Sequence, residues 1–238
     1  MCTNYTPTRR DRWVEEQLSV RLPRTVWPDE AYPGYLAPIV ALDQKSQQAR
    51  CELARFGLIP FWTKDAKFGR RTYNARSETA SSKPSFRTAW RERRYALAPM
   101  DNFYEPHWGD PQGAGRPVRW RIERGDGQPF AAASLWEHWT DPQSGEMVTS
   151  FSMLTVNADE HEVMKQFHRP GDEKRMLVIV APVAYDDWLH ATPETAAQMM
   201  RQLPAAELVA QPAPRPSAAR KTSKTGGLQG ELLAPRSD

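Results

Sequence analysis

Two cysteines in 238 residues, Cys2 and Cys51, are too few for a disulfide framework. No apolar run reaches the ~20 residues that a bilayer-spanning helix needs. The first thirty residues are polar, rich in arginine and broken by Pro23 and Pro28, unlike a secretory signal. These absences predict a reducing, cytoplasmic setting and no membrane partner. A Cys2–Cys51 disulfide is disfavoured there, and Cys51 reads as a small buried hydrophobe in a strand. A metal signature is missing as well. His161-Glu162 opens like a zinc-protease motif, but Lys165 stands where the second histidine belongs. His161 and His168 have no Cys or acidic partner at ligand spacing, so neither metal nor cofactor is expected. No internal repeat is present.

What remains is a folded globule. Hydrophobic residues make up 39%, charged residues 26%, and there are nine Trp. The net charge of +3 permits an anionic partner without requiring one. Strand-like runs recur at Pro38–Leu42, Arg50–Gly57, Tyr95–Ala98, Val118–Ile122, Phe130–Ser134, Phe151–Val156 and Met176–Val180. Helical patterns are fewer: Arg10–Leu18, Pro84–Arg93, Ala158–Phe167, Val183–His190 and Pro193–Gln202. Asn157 with Glu160 resembles a capping box, and Thr192-Pro193 an N-cap followed by proline at the first helical position. Strands in succession without regular βαβ alternation predict an α+β fold with a curved, largely antiparallel sheet. From about Gln211 the composition turns to Pro, Ala, Ser and basic residues without apolar periodicity, which predicts a flexible basic tail.

Cys2 carries the most specific chemistry. If Met1 is removed, Cys2 offers an α-amine and a thiol on adjacent carbons, a pair no internal cysteine has. The amine condenses with an aldehyde to an imine, and the thiol closes on the imine carbon to give a five-membered thiazolidine. Both groups titrate within about two units of neutrality, so one base and one acid suffice to activate them. Three further segments bear on the reaction. Tyr73–Thr79 is a dense polar run without helical or strand spacing. Glu105 follows Phe103-Tyr104 at the end of a strand, where partial desolvation raises a carboxyl toward general acid/base use; otherwise it is a rim carboxylate paired with arginine. His168 precedes Arg169-Pro170-Gly171, which terminates the Ala158–Phe167 helix and leaves the imidazole at the helix end, where the dipole favours its protonated form.

Five segments in order now point to one family. Cys2 behind Met1, Phe56–Trp62, Asn74–Thr79, Ala98-Pro99 leading to Phe103-Tyr104-Glu105, and His168 with Arg175-Met176 resemble the SRAP family, the SOS response-associated peptidases. The resemblance spans roughly residues 1–200. It implies a single SRAP-type domain over 2–205, a tail over 206–238, and covalent capture of abasic sites in single-stranded DNA by the exposed cysteine. It also implies autoproteolytic removal of Met1, which a general methionine aminopeptidase could equally perform because Cys is small. By that match Cys2 is the nucleophile, Asn74 positions the sugar and the Cys2 terminus, Glu105 is the acid/base, and His168 assists ring opening. Arg76 looks like the phosphate-contacting arginine, Thr155 a site-lining threonine, and Pro38 is grouped with the DNA contacts.

Departures accompany the match. Thr3-Asn4 stands where the family often has Gly-Arg, Pro106 replaces a common tryptophan, and Arg169–Lys174 is inserted before Arg175-Met176, so His161 competes with His168 for the histidine's role. A His-Pro-Val-Ser segment near the C-terminus has no clear counterpart. Independently of the resemblance, Phe61 and Trp62 beside Lys64, Lys67, Arg70 and Arg71 interleave stacking faces with phosphate partners, as single-strand binders do; Trp62 equally suits core packing. Two other functions fit parts of this pattern: an N-terminal-nucleophile amidohydrolase, and a noncatalytic single-strand binder in which Cys2 is incidental. A monomer is expected.

Overall fold

The computed structural model describes residues 2–110, 113 and 115–215. Its strands, in chain order, are β1 (Asn4–Pro7), β2 (Leu36–Leu42), β3 (Ala49–Phe56), β4 (Asn74–Arg76), β5 (Tyr95–His107), β6 (Val118–Arg124), β7 (Phe130–Thr140), β8 (Met147–Asn157), β9 (Arg175–Leu177), β10 (Ile179–Val180) and β11 (Leu208–Pro212). The helices are short: α1 (Asp11–Leu18), α2 (Ser77–Ala80), α3 (Arg87–Arg91), α4 (Tyr185–Leu189) and α5 (Pro193–Met199).

Strands β7, β8, β3, β2 and β5 pair in that order, and β5 pairs back with β7, so five strands close a barrel. Only β3–β8 within the ring is parallel. The expected α+β fold with a curved, largely antiparallel sheet is the observed one. Small residues make the tight curvature feasible. Ala96, Leu97 and Ala98 of β5 lie opposite Ser134, Ala133 and Ala132 of β7. Large aromatics fill the remaining space: Phe56 stacks on Phe151 at 5.3 Å, and Tyr5 meets Phe56 edge-on at 5.4 Å. Each such buried ring removes about 150–250 Å² from water, worth several kcal/mol at about 25 cal/mol/Å².

The long strand β5 positions the chemistry. Its first half belongs to the barrel, while its second half runs past the rim to pair with β1 and β6. In the β1–β5 register Asn4 opposes Tyr104. The chain just before β1 therefore reaches Glu105 and Pro106. A two-way backbone bridge between Tyr5 and Ala31 holds β1 from its other side.

Several elements differ from expectation. Ala158–Phe167 is not an α-helix; it holds turns and one 3-10 segment, Met164–Gln166. Asn157 Oδ1 accepts the Asp159 amide instead of starting a capping box, and His161 Nδ1 accepts the amides of Val163 and Met164. Local side-chain bonds have displaced the helix. Met176–Val180 splits because the chain changes partner at Val178, whose N–H donates to Leu154 while its carbonyl accepts from Ala133. At Thr192 the N-cap is present, reciprocated by Thr195 with Pro193 in the first turn. The first part of the tail expected over 206–238 is structured: Leu208–Pro212 pairs with β6, and Leu208 is buried. Residues 216–238, and with them most of the expected tail, lie outside the described residues, as does Met1.

Candidate active site

Cys2, Glu105 and His168 come together although they are remote in the chain. Cys2 is 2% exposed, and its thiol donates to the Asn4 carbonyl at 3.4 Å. Burial, reinforced by the charge of Glu105, pushes the thiol pKa well up. The resting sulfur is therefore protonated and needs a base before it can attack.

The carboxyl whose charge acts on this thiol is that of Glu105. Burial raises its carboxyl to about 7, where it can both take and give a proton at neutral pH. His168 Nε2 lies 3.3 Å from Glu105 Oε2. Burial pulls this imidazole down to about 4, so it is neutral at pH 7. That corrects the expected protonated histidine at a helix end: there is no α-helix there, and desolvation dominates. His168 instead occupies the left-handed region at φ 66°, with its N–H donating to the Pro106 carbonyl. Such a conformation in a non-glycine residue is held by its surroundings. Pro106 thus carries the backbone link between β5 and His168.

His161 sits elsewhere. It is buried, with Nε2 bonded to the Leu203 carbonyl at 2.8 Å and Nδ1 used by the two amides named above. Both of its ring nitrogens are thus bonded within the fold.

Asn74 lies on β4, which adds to β8 in parallel opposite Met153. Its Nδ2 donates to the Tyr73 carbonyl at 3.1 Å, and its buried Oδ1 has no hydrogen-bond partner among the described residues. Tyr73 packs edge-on against Phe56, and its phenol pKa is raised by burial and then by Cys2 and Glu105. The polar run 73–79 thus contains a strand too short to show a period. Thr155 of β8 is buried beside β4, its Oγ1 donating to the Ala75 carbonyl at 3.5 Å.

Sequence reasoning missed what orders this wall. Arg175, fully buried, is bound bidentately by Glu78 at 2.9 and 2.8 Å, and donates to the Thr155 carbonyl at 2.6 Å and to Glu173 at 2.7 Å. Arg76 pairs with Glu173 at 2.6 Å. The signal was the alternation of charge around Arg175, whose partners are nearly a hundred residues apart.

Phe61 and Trp62 are 58% and 46% exposed, and Lys64, Lys67, Arg70 and Arg71 are exposed with them. Core packing is excluded for these two aromatics. Their loop is tied to the barrel where Gly57, at φ 110°, meets Gly69; a Cβ on Gly57 would collide with the Gly69 carbonyl. Pro38 is placed differently from expectation. It is buried in β2 opposite Leu53, because Ala37–Ala41 are covered on both faces of the barrel strand, and it offers no surface to DNA.

A cavity of about 510 Å³ reaches Glu105 and is lined by Thr3, Asn4, Arg116, Arg119 and Arg215. Asn4, at the position where an arginine was noted as common, donates instead to Glu30 at 2.8 Å. The arginines here come from β6, its preceding loop and the chain after β11. A larger cleft of about 810 Å³ beside α5 contains none of the candidate groups. Among the described residues no group of three or more His, Cys, Asp or Glu is placed to hold a metal, and no helix is long and apolar enough to cross a membrane.

The family model described as SOS response associated peptidase, SRAP, matches residues 1–215. The chain belongs to the SRAP family. The abasic site processing protein YoqW of Bacillus subtilis is 34% identical over 196 residues, 80% of each chain. HMCES of Gallus gallus, also named an abasic site processing protein, is 23% identical over 66% of this chain and 50% of its own. Among solved structures, a protein from Bordetella bronchiseptica superposes with a TM-score of 0.80 at 31% identity, covering 89% of this chain and 99% of that one. A protein from Bacteroides thetaiotaomicron, at TM-score 0.73 and 18% identity over 88% of this chain and 90% of its own, shares the SRAP fold.

Proposed function

We propose that this SRAP protein captures abasic sites in single-stranded DNA through a thiazolidine on Cys2, once Met1 has been removed. The observation that carries the reading is the buried cluster itself: Cys2 electrostatically coupled to Glu105, and His168 Nε2 3.3 Å from the Glu105 carboxylate. The relatives named abasic site processing proteins supply the substrate class.

The chemistry balances without an oxidant or metal. Neutral His168 takes the proton from the sugar's anomeric hydroxyl and returns it to the ring oxygen, opening the deoxyribose to its aldehyde. The Cys2 amine attacks the aldehyde carbon and gives a proton to ionised Glu105. Protonated Glu105 delivers that proton to the alkoxide oxygen, and the same carboxyl then carries the second nitrogen proton to the resulting carbinolamine hydroxyl, which leaves as water and creates the imine. The Cys2 sulfur adds to the imine carbon while the thiol proton ends on nitrogen. Aldehyde and aminothiol become thiazolidine and water. Asn74 positions the sugar and the Cys2 terminus. Arg76, Thr155, Phe61 and Trp62 hold the strand, with phosphates on the arginine and bases on the aromatic faces. Hydrolysis of the Met1–Cys2 peptide bond by the chain itself belongs to the same reading, as does a role in the DNA damage response.

Intact mass and denaturing gels test it. Wild type incubated with an abasic single-stranded oligonucleotide should lack Met1 and gain the mass of the oligonucleotide less one water. Cys2→Ala should give no stable adduct, and borohydride traps any residual imine. Equal adduct from both proteins without reductant overturns the proposal, and turnover of small amides with no DNA adduct would identify an amidohydrolase instead.

A further inference from the structure

The segment after His168 puts a carboxylate on the arginine assigned to DNA. Glu173 Oε2 lies 2.6 Å from Arg76 Nη1. Its other oxygen accepts from Arg175 Nη1 at 2.7 Å and from Asn157 Nδ2 at 3.2 Å. Arg175 is in turn fixed by Glu78 and the Thr155 carbonyl. Glu173 is therefore anchored from the side away from Arg76, and keeps its place whether or not Arg76 engages it. The hydrogen bond from Arg175 holds the Glu173 carboxyl below its ordinary value, so it is ionised at neutral pH. Lys174 adds a cation beside this group and Asp159, whose carboxylate accepts the Lys174 amide, adds an anion, so the two leave the local balance unchanged.

The charge balance decides what this does. Arg76 and Arg175 face Glu78 and Glu173, two cations against two anions, so an approaching phosphate meets a locally neutral patch. Arg76 and Glu173 are both partly exposed, and such a pair is weak enough for a phosphate to displace. Phosphate and carboxylate oxygens compete for the same guanidinium donors.

We propose that Glu173 is a built-in competitor for the DNA phosphate at Arg76, which lowers affinity for undamaged single strands. The inference rests on the reading of Arg76 as a phosphate contact. Its consequence is selectivity: a strand held only by its backbone releases easily, whereas one captured by Cys2 stays.

The test measures binding of an undamaged single-stranded oligonucleotide to the full chain across a salt series, for wild type, Glu173→Gln, Arg76→Ala and the double variant. Glu173→Gln should bind roughly two- to tenfold tighter. Its plot of log affinity against log salt should steepen by about 0.7, the value for one further phosphate contact on a single strand. Both gains should vanish in the Arg76→Ala background. Glu173→Ala, which leaves no amide donor, should repeat the result, and thermal unfolding of each variant establishes that it is folded. Unchanged affinity in Glu173→Gln overturns the inference. So does weakened affinity matching Arg76→Ala, since the carboxylate would then orient Arg76 for DNA. Adduct formation on an abasic oligonucleotide is scored separately: adduct without tighter binding sinks only this inference, and tighter binding without adduct sinks only the capture reading.

Discussion

His168 Nε2 stands 3.3 Å from Glu105 Oε2, and burial drives the two groups in opposite directions, the carboxyl up to about 7 and the imidazole down to about 4. Desolvation penalises whichever form is charged, so the neutral acid is favoured in one residue and the neutral base in the other. At pH 7 the carboxyl beside the Cys2 thiol is therefore about half protonated and the imidazole neutral, so the one titratable proton the pair shares sits on Glu105.

If that proton is the one the reaction uses, Glu105→Gln and His168→Ala should each slow adduct formation by roughly 10²–10⁴-fold. Noncovalent affinity for an undamaged strand should change little, since neither residue lies on the aromatic-basic surface. Single-turnover gel kinetics beside equilibrium binding would separate the two effects. Matching losses of rate and affinity would mean that the pair shapes the DNA surface and not the chemistry.

The same pair governs how stability depends on pH. Folding raises Glu105 from about 4.3 to about 7, so its contribution is full below the unfolded value and is lost as pH rises through the folded one. Folding lowers His168 from about 6.5 to about 4, so its contribution is full above the unfolded value and is lost as pH falls through the folded one. Between roughly pH 4.5 and 6.5 the slopes oppose. Glu105→Gln should therefore gain stability with rising pH relative to wild type, and His168→Gln should lose it, each by up to ~1.4 kcal/mol per pH unit. Urea denaturation across that window reads the sign directly, and parallel curves for all three proteins would contradict it.

His161→Ala should behave in the opposite manner to His168→Ala. It removes a buried ring bonded to Leu203 and to two backbone amides, which should cost about 1–3 kcal/mol for the polar groups left unpaired. The adduct rate per folded molecule should stay near wild type. A crippled rate in a stable His161→Ala would reverse the assignment of the two histidines.

How much of this was legible in the sequence depended on the range of the cause. Strands such as β7 announce themselves as apolar runs, and Thr192-Pro193 states its own helix start, because those signals are local. The span 158–167 has a helical pattern and still folds as turns, since His161 and Asn157 spend their polar atoms on nearby amides. β4 is three residues long and exists only because β8 accepts it. β11 was assigned to the tail for a similar reason: its partner strand lies far upstream. Cys2, Glu105 and His168, which the fold brings together, could be singled out from chemistry and resemblance, whereas the burial of Pro38 is a property of the closed barrel. Glu173 could not be paired with Arg76 from spacing, because the contact depends on where Arg175 is buried.

Substrate form gives the last prediction, and it follows from exposure. Phe61 and Trp62 stand out of the core on a loop pinned by Gly57 and Gly69, with Trp62 Nε1 donating to the Pro84 carbonyl at 3.3 Å and its ring edge-on to Phe68 at 5.2 Å. The ring is thus oriented, yet half open to solvent. Stacking on it requires an unpaired base face, which intact duplex withholds, and is worth about 1–3 kcal/mol per base. Cations attract both forms through phosphates. Adduct formation should therefore be well above the duplex rate on single-stranded or junction abasic DNA. Trp62→Ala should erode that preference by roughly five- to a hundredfold, while Arg76→Ala should weaken binding to both forms alike. Competition between labelled single-stranded and duplex abasic oligonucleotides measures the ratio in one tube. Equal capture of both by the wild type would show that the exposed aromatics do not stack on DNA bases.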